Sequence, residues 1–315
     1  MRAPITSPNG KAISRFTYGT MQFGERADAK ASREMFDACV AAGINHFDTA
    51  YVYTEGASET LLGEFAAPMR DDLVIATKAA YSGGSGRANI LQAFDTSRQR
   101  LNMDYVDILY LHRFDPATPL EETYDTLAKL KAQGKIGHIG VSNHAAWQVM
   151  KSVAVAAERD LTIDILQPMY NLVKRQVEVE LLPMAKDQGI LVAPYSPLAA
   201  GLLTGKYTGI EDTTTGGRLT EDSRYHARYG QEWMWQTARD LKALAEDHGV
   251  APATLAVAWI AKHVDGLSPI LSARSAEQLA PSLAAISFEM DDALYQEITA
   301  LSPTPAPATD RLEEA

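Results

Sequence analysis

The chain has 315 residues, 46% of them hydrophobic and 22% charged, which suits one large α/β domain that buries its core without staples. Its formal net charge of −11 and pI near 5.1 argue against a nucleic-acid partner or an anionic membrane surface. A small anionic ligand stays admissible, because a few local cations outweigh distant acid. The one cysteine, Cys39, lies in a helical pattern and reads as a buried small apolar residue; alone it forms no intrachain disulfide. Met1-Arg2-Ala3-Pro4 starts no secretion signal, and no uncharged apolar stretch reaches about 18 residues, so a soluble cytoplasmic protein is expected.

Strand-like runs alternate with helical patterns along the chain. A first strand is expected near Phe16–Gly19, followed by Ile44–Phe47, Leu73–Thr77, Val106–Leu111, Ile136–Val141, Ile163–Leu166, Ile190–Ala193 and Pro269–Leu271. Helical patterns cover about 29–42, 58–66, 88–101, 121–133, 145–158, 176–188 and 252–263. Pro119 precedes Glu121 and Glu122, which places acids in a first turn, and Gly43, Gly134 and Gly189 each stand where a helix ends before a strand. Eight such units predict a (β/α)8 TIM barrel in a single domain over 1–315, the last 302–315 an extended Pro-rich tail. An open doubly wound sheet is the rival. Its glycine-rich first turn is missing, since the turn reads Gly19-Thr20-Met21-Gln22-Phe23-Gly24. After Tyr195 the regularity breaks, with a Thr/Gly-rich loop at 207–224 and an extra helix near 232–248 before the last strand. Insertions on that face form ligand sites.

Polar residues close the early strands: Asp48, Lys78 and His112, with Tyr53 five residues beyond Asp48. In a parallel barrel these ends share the face where active sites sit. Alone, Asp48 beside Lys78 is as readily a structural ion pair. With Tyr53 and His112 in order, the set reads as proton chemistry. An ammonium brings a phenol down toward neutral pH, a carboxylate keeps that ammonium charged, and an imidazole orients a carbonyl. Such a set reduces a carbonyl only with a hydride from elsewhere, which implies a nicotinamide. The histidines show no metal-binding spacing, so no metal is expected, and a metal-dependent hydrolase lacks its ligands. Trp233-Met234-Trp235 reads as packing rather than a substrate wall, and Asp107 as a buried polar support. Ser82–Gly86 reads as a flexible loop.

The chain resembles the aldo-keto reductase superfamily over nearly its whole length. The likeness rests on Gly43–Tyr53 (G-x-x-x-x-D-T-A-x-x-Y), Thr77-Lys78, Tyr110-Leu111-His112, Gly134–Asn143 (with His138 where the family has arginine), Gln167–Asn171 and Tyr195–Leu198. Leu198–Tyr207 is similar to the branch holding the potassium-channel β subunits and many bacterial reductases. The resemblance implies that Tyr53 is the general acid, tuned by Lys78, which Asp48 holds, and that His112 orients the carbonyl. It implies cofactor contacts from Gly19, Thr20, Met21 and Asp48 at the first strand ends. Ser142, Asn143 and Gln167 would bind the carboxamide, and Tyr195 would stack on the nicotinamide. Ser196, Leu198, Ala200, Gly201, Lys206 and Arg218 would meet the phosphates, although Arg218 is equally an exposed loop arginine. Ala273, Arg274 and Gln278 would lie on the adenosine side. Arg274 facing a 2′-phosphate implies NADP(H) before NAD(H), while Pro281-Ser282 stands where the branch has Glu-Asn. The implied function is reduction of a small-molecule aldehyde or ketone. The alternative is a cofactor-binding sensor with little turnover. Neither substrate nor oligomeric state is legible.

Overall fold

The computed structural model describes residues 3–212, 215–263, 267–311 and 313. Eight parallel strands pair in the order β7-β6-β5-β4-β3-β2-β1-β8. They are β1 Thr17–Gly19, β2 His46–Asp48, β3 Val74–Ala79, β4 Val106–Leu111, β5 Ile136–Ser142, β6 Ile165–Gln167, β7 Leu191–Val192 and β8 Ile270–Leu271. The ends meet: Ser268 N donates to Val192 O at 2.7 Å and Ile270 N to Pro194 O at 2.9 Å. The sheet is thereby a closed (β/α)8 barrel, as expected. The helices are α1 Ala29–Ala41, α2 Ala57–Ala66, α3 Arg87–Leu101, α4 Leu120–Ala132, α5 Ala146–Ala157, α6 Leu181–Gln188, α7 Arg218–Glu221, α8 Ser223–Arg228, α9 Glu232–Asp247, α10 Pro252–Lys262, α11 Ala276–Ala284 and α12 Asp292–Ala300.

Strand side chains alternate between two cores. Val74 and Ala76 of β3, Ile108 and Tyr110 of β4, Ile165, Ala193 and Ile270 fill the barrel, whereas Ile75, Leu109, Leu111 and Leu166 pack under the helices. Both faces are covered, which is why β3 and β4 read as continuous apolar runs. The barrel floor was not anticipated. Residues 5–13 form a hairpin (Ile13 N to Ile5 O, 3.1 Å) that sends Ile5 into the inner core.

Local signals set most helix ends. Asp28 caps α1 by accepting from Ala31 N at 2.8 Å. Helix α4 has Glu121 and Glu122 in its first turn and Lys129 and Lys131 in its last, matching the helix dipole. The helix expected over 176–188 is shorter: a single turn at Gln176–Glu178, then α6, with Pro183 confined to its first turn, where a proline costs no hydrogen bond. Helices α11 and α12 were not anticipated, although Ser275 and Asp291 cap them through Gln278 N and Leu294 N. The insertion folds as α7 and α8 ahead of α9; its Thr213 and Thr214 lie outside the described residues.

Trp235 is buried, its indole donating to Tyr229 O at 2.8 Å, so it packs as expected, whereas Trp233 is exposed and does not. Asp107 faces the helices and joins Ile75 N (2.7 Å) to Arg70 (2.8 Å), the support role read from the sequence. The 82–86 loop is pinned rather than free: Asp115 accepts from Ser85 N at 2.7 Å and from Thr118 Oγ1 at 2.6 Å. Arg175 ties the start of the tail, donating to Thr299 O at 3.0 Å and Ser302 Oγ at 3.1 Å. Beyond it, Leu312, Glu314 and Ala315 lie outside the described residues.

Candidate active site

Strand register brings the expected residues together. Gly19 pairs with Asp48, Asp48 with Ala76, and Lys78 with Tyr110, so Lys78 stands one step above Asp48 inside the barrel. Lys78 is 1% and Asp48 2% exposed, a burial neither charge tolerates unpaired. The Lys78 ammonium donates to Asp48 Oδ2 at 2.5 Å, Thr49 O at 2.7 Å and Tyr53 Oη at 3.2 Å. Three N–H groups meet three acceptors, the full complement of an ammonium. Burial pulls Lys78 down, but Asp48 and Tyr53 outweigh it and hold the ammonium above its ordinary value. Because the Tyr53 oxygen accepts from Lys78, its own proton remains available to a further acceptor.

One expectation about Tyr53 needs correction. Burial raises the phenol above its ordinary value, and the opposing pull of Lys78 does not cancel this because Asp48 shields it. Tyr53 is thus a neutral donor at physiological pH. His112 closes the other wall, its ring edge-on to Tyr53 at 6.0 Å between centroids. Burial first, then Lys78 and Arg113, push its imidazole down to about 3, so it too is neutral. Its Nδ1 is buried with no partner.

A hydrogen-bond chain runs round the barrel top from the second group of expected residues. Tyr195 Oη donates to Asn143 Oδ1 at 2.7 Å; Asn143 Nδ2 donates to Ser142 Oγ at 3.0 Å and His112 O at 2.9 Å. Ser142 Oγ donates to Gln167 O at 2.9 Å, and Gln167 Nε2 to Asp48 Oδ1 at 3.0 Å. Asn143 adopts φ 56°, a left-handed turn that asparagine tolerates, and keeps one Oδ1 lone pair for a ligand. Thr20 is buried, its hydroxyl 2.7 Å from Ser58 Oγ; Gly19 and Met21 flank it.

The third group gathers where α7 meets the loop after β8. Ser196, Ala200 and Gly201 take positive φ, which turns the backbone tightly through Leu198. Lys206, Arg218 and Arg274 lie within electrostatic reach of one another around Glu221, which bonds Arg26 at 2.8 Å and Arg274 at 3.7 Å. Gln278 Oε1 accepts from Arg274 N at 3.4 Å, and Ala273 packs on the core beside them. The buried hydroxyl of Ser272 has no partner here, and that of Tyr207 lies against the Leu219 backbone. Converging cations and an orphaned hydroxyl fit the phosphates of a dinucleotide.

Sequence reasoning missed the support beneath Tyr53. Glu59 is fully buried, accepting from Thr77 Oγ1 at 2.7 Å and from Arg100 at 3.1 Å. Arg100 also donates to Tyr51 O at 2.8 Å and lies 4.9 Å over the Tyr51 ring. Gly56, at φ 101°, leaves the space that the guanidinium fills. An acid on the apolar face of α2 was the available signal. Among the described residues no cluster of metal ligands occurs, and no helix is long and apolar enough to cross a membrane.

Comparison with known proteins agrees with this geometry. The chain is 34% identical over 298 residues to a probable voltage-gated potassium channel subunit beta of rice, covering 88% of this chain and 89% of that one. It is 35% identical over 288 residues to aflatoxin B1 aldehyde reductase member 2 of rat (85% and 78%), and 33% over 290 residues to L-glyceraldehyde 3-phosphate reductase of Escherichia coli K12 (84% and 81%). The model of the Aldo/keto reductase family matches residues 15–303, from β1 through the end of α12. A closed barrel, a crater of buried acid and amine at its C-terminal rim, and a family match of that span lead to one assignment: the chain belongs to the aldo/keto reductase family of carbonyl oxidoreductases.

Proposed function

We propose that the chain is an NADP(H)-preferring reductase of a small-molecule aldehyde or ketone, acting in the cytoplasm, with Tyr53 as proton donor. The observation that carries this is the Lys78 ammonium donating to Tyr53 Oη at 3.2 Å, which would leave the phenolic proton for a substrate carbonyl. When bound, a reduced nicotinamide supplies the hydride that no side chain here supplies. Ser142, Asn143 and Gln167 would hold its carboxamide, Tyr195 its ring, and Lys206, Arg218 and Arg274 its phosphates. A 2′-phosphate near Arg274 would replace Glu221 as that residue's counter-charge, which favours NADP(H). His112, neutral, donates to the carbonyl oxygen beside Tyr53, and both stabilise the alkoxide that develops. Tyr53 then gives its proton to that oxygen while Lys78 steadies the phenolate left behind.

The test is NADPH oxidation against an aldehyde panel, with NADH in parallel. Tyr53→Phe is expected to lose at least about a hundredfold in kcat while still binding cofactor. Wild-type turnover in that variant would remove Tyr53 from the chemistry. The likeness to a channel subunit supports a second reading, a cofactor-loaded sensor. Cofactor binding with no turnover on any carbonyl would favour it.

A further inference from the structure

The crater mouth carries more positive charge than the cofactor reading uses. Tyr81, 45% exposed, lies against His112 with ring centroids 4.8 Å apart, and the Arg113 guanidinium sits 5.2 Å from the Tyr81 centroid. Arg113 therefore reaches the substrate side of His112. Opposite, the Tyr225 ring of α8 carries two guanidiniums, Arg218 at 5.2 Å and Arg228 at 5.1 Å. Tyr225 is close enough to Tyr53 and Tyr195 to raise both phenols, and Arg228 is close enough to Tyr195 to lower it. Burial first, and then Arg228, depress the half-buried Lys174.

Most arginines of this acidic chain face a carboxylate. Among the described residues, Arg113, Arg228 and Lys174 have none. Asp222, within electrostatic reach of Arg228, is held by Arg224 at 2.7 Å, and Asp115, two residues beyond Arg113, accepts from Ser85 N and Thr118 Oγ1. Cations held beside a catalytic crater without an ion-pair partner raise the local concentration of anions there. Arg218 groups with Lys206 and Arg274 around the phosphates, but the nicotinamide end of a dinucleotide brings no anion to Arg113.

We infer that the crater mouth holds an anion subsite built from Arg113 and Arg228, so that the substrate is a carbonyl compound bearing a carboxylate or a phosphate group. This rests on the reductase reading, and the experiment separates the two. The probes are 4-carboxybenzaldehyde, 4-formylphenyl phosphate and the neutral methyl 4-formylbenzoate, which share a ring and a reach. At low salt, kcat/KM for an anionic aldehyde is expected to exceed the neutral one by about tenfold, the effect of one charge-assisted contact. That ratio should fall to within about threefold in Arg113→Gln and in Arg228→Gln, and should shrink as salt rises. The larger of the two anionic ratios assigns carboxylate or phosphate. Equal kcat/KM for charged and neutral aldehydes in the wild type, or a ratio that survives both substitutions, overturns the subsite while leaving the reductase standing. Ligand-observed NMR with the cofactor-loaded protein measures affinity for the same three compounds. If nothing is turned over, tighter anion binding that both variants abolish still upholds the subsite, and equal binding still rejects it.

Discussion

Arg100, at the end of α3, reaches the fully buried Glu59 of α2 at 3.1 Å, and through it the hydroxyl of Thr77, the residue before Lys78. The same guanidinium bonds Tyr51 O, two residues before Tyr53. One ion pair thus links the turn that carries the phenol to the strand that carries the ammonium. Removing a partner leaves a charge uncompensated in a largely buried site, at a cost of about 3 kcal/mol. Glu59→Gln and Arg100→Ala are expected to lower kcat by about ten- to a hundredfold through misplacement of Tyr53, with cofactor affinity within twofold. Arg100→Lys should recover only part, because both bonds leave from Nη1 and a lysine carries its nitrogen one bond less far. Unchanged kcat in variants that have lost stability would make the pair purely structural.

Lys78 and Asp48 form the second test. Lys78→Met strands the Asp48 carboxylate in the barrel and is expected to destabilise the fold by about 3 kcal/mol and abolish turnover. Adding Asp48→Asn removes the stranded charge, so the double variant should regain much of the stability and none of the activity. Urea unfolding and NADPH oxidation on the three proteins measure the split. Recovery of both together would mean that the ion pair serves the fold alone.

These tests concern residues that differed in legibility. Asp48, Lys78 and His112 were readable because a strand's period of two and its polar end place them on one rim. Arg100 and Glu59 were not, since they lie on two helices with a strand between them, and an acid on the apolar face of α2 does not by itself name its partner. Likewise the hairpin that plugs the floor has too few residues for a periodic pattern, and α11 begins on Ser275, a signal easily assigned to a loop. The sign at Tyr53 depended on a balance that no motif encodes: desolvation against one neighbouring cation, itself half-neutralised by Asp48.

The neutral pair at the crater dictates a pH profile. With His112 pushed down to about 3 and Tyr53 raised above its ordinary value, neither changes charge between pH 5.5 and 8.5. Reduction of a neutral aldehyde, followed as kcat/KM, is expected to vary less than about threefold across that range, against the decade per unit that a titrating group imposes. An inflection near the ordinary histidine value of about 6.5 would place a charged imidazole in the reaction.

Stability should depend on pH where activity does not. Burial holds three imidazoles neutral: His46 and His112 at about 3 and His144 at about 4, all under a tenth exposed. Each takes up its proton at about 6.5 once unfolded, so below that pH the unfolded chain binds more protons and the fold weakens. The contribution is complete above pH 6.5 and is lost as pH falls toward 4 for His144 and 3 for the others. Each histidine adds a slope of about 1.4 kcal/mol per pH unit within its window, or about 4 kcal/mol for the three together. Asp48 and Asp107, whose carboxyls burial raises, work in the opposite sense, so differences between variants isolate the histidine effect. Urea midpoints at pH 7, 6 and 5 for the wild type and His46→Asn measure it. The variant's slope should be shallower by about 1.4 kcal/mol per unit. Parallel slopes would mean that His46 is charged inside the barrel, which its contact with Thr17 Oγ1 at 2.7 Å and its bare Nε2 do not support.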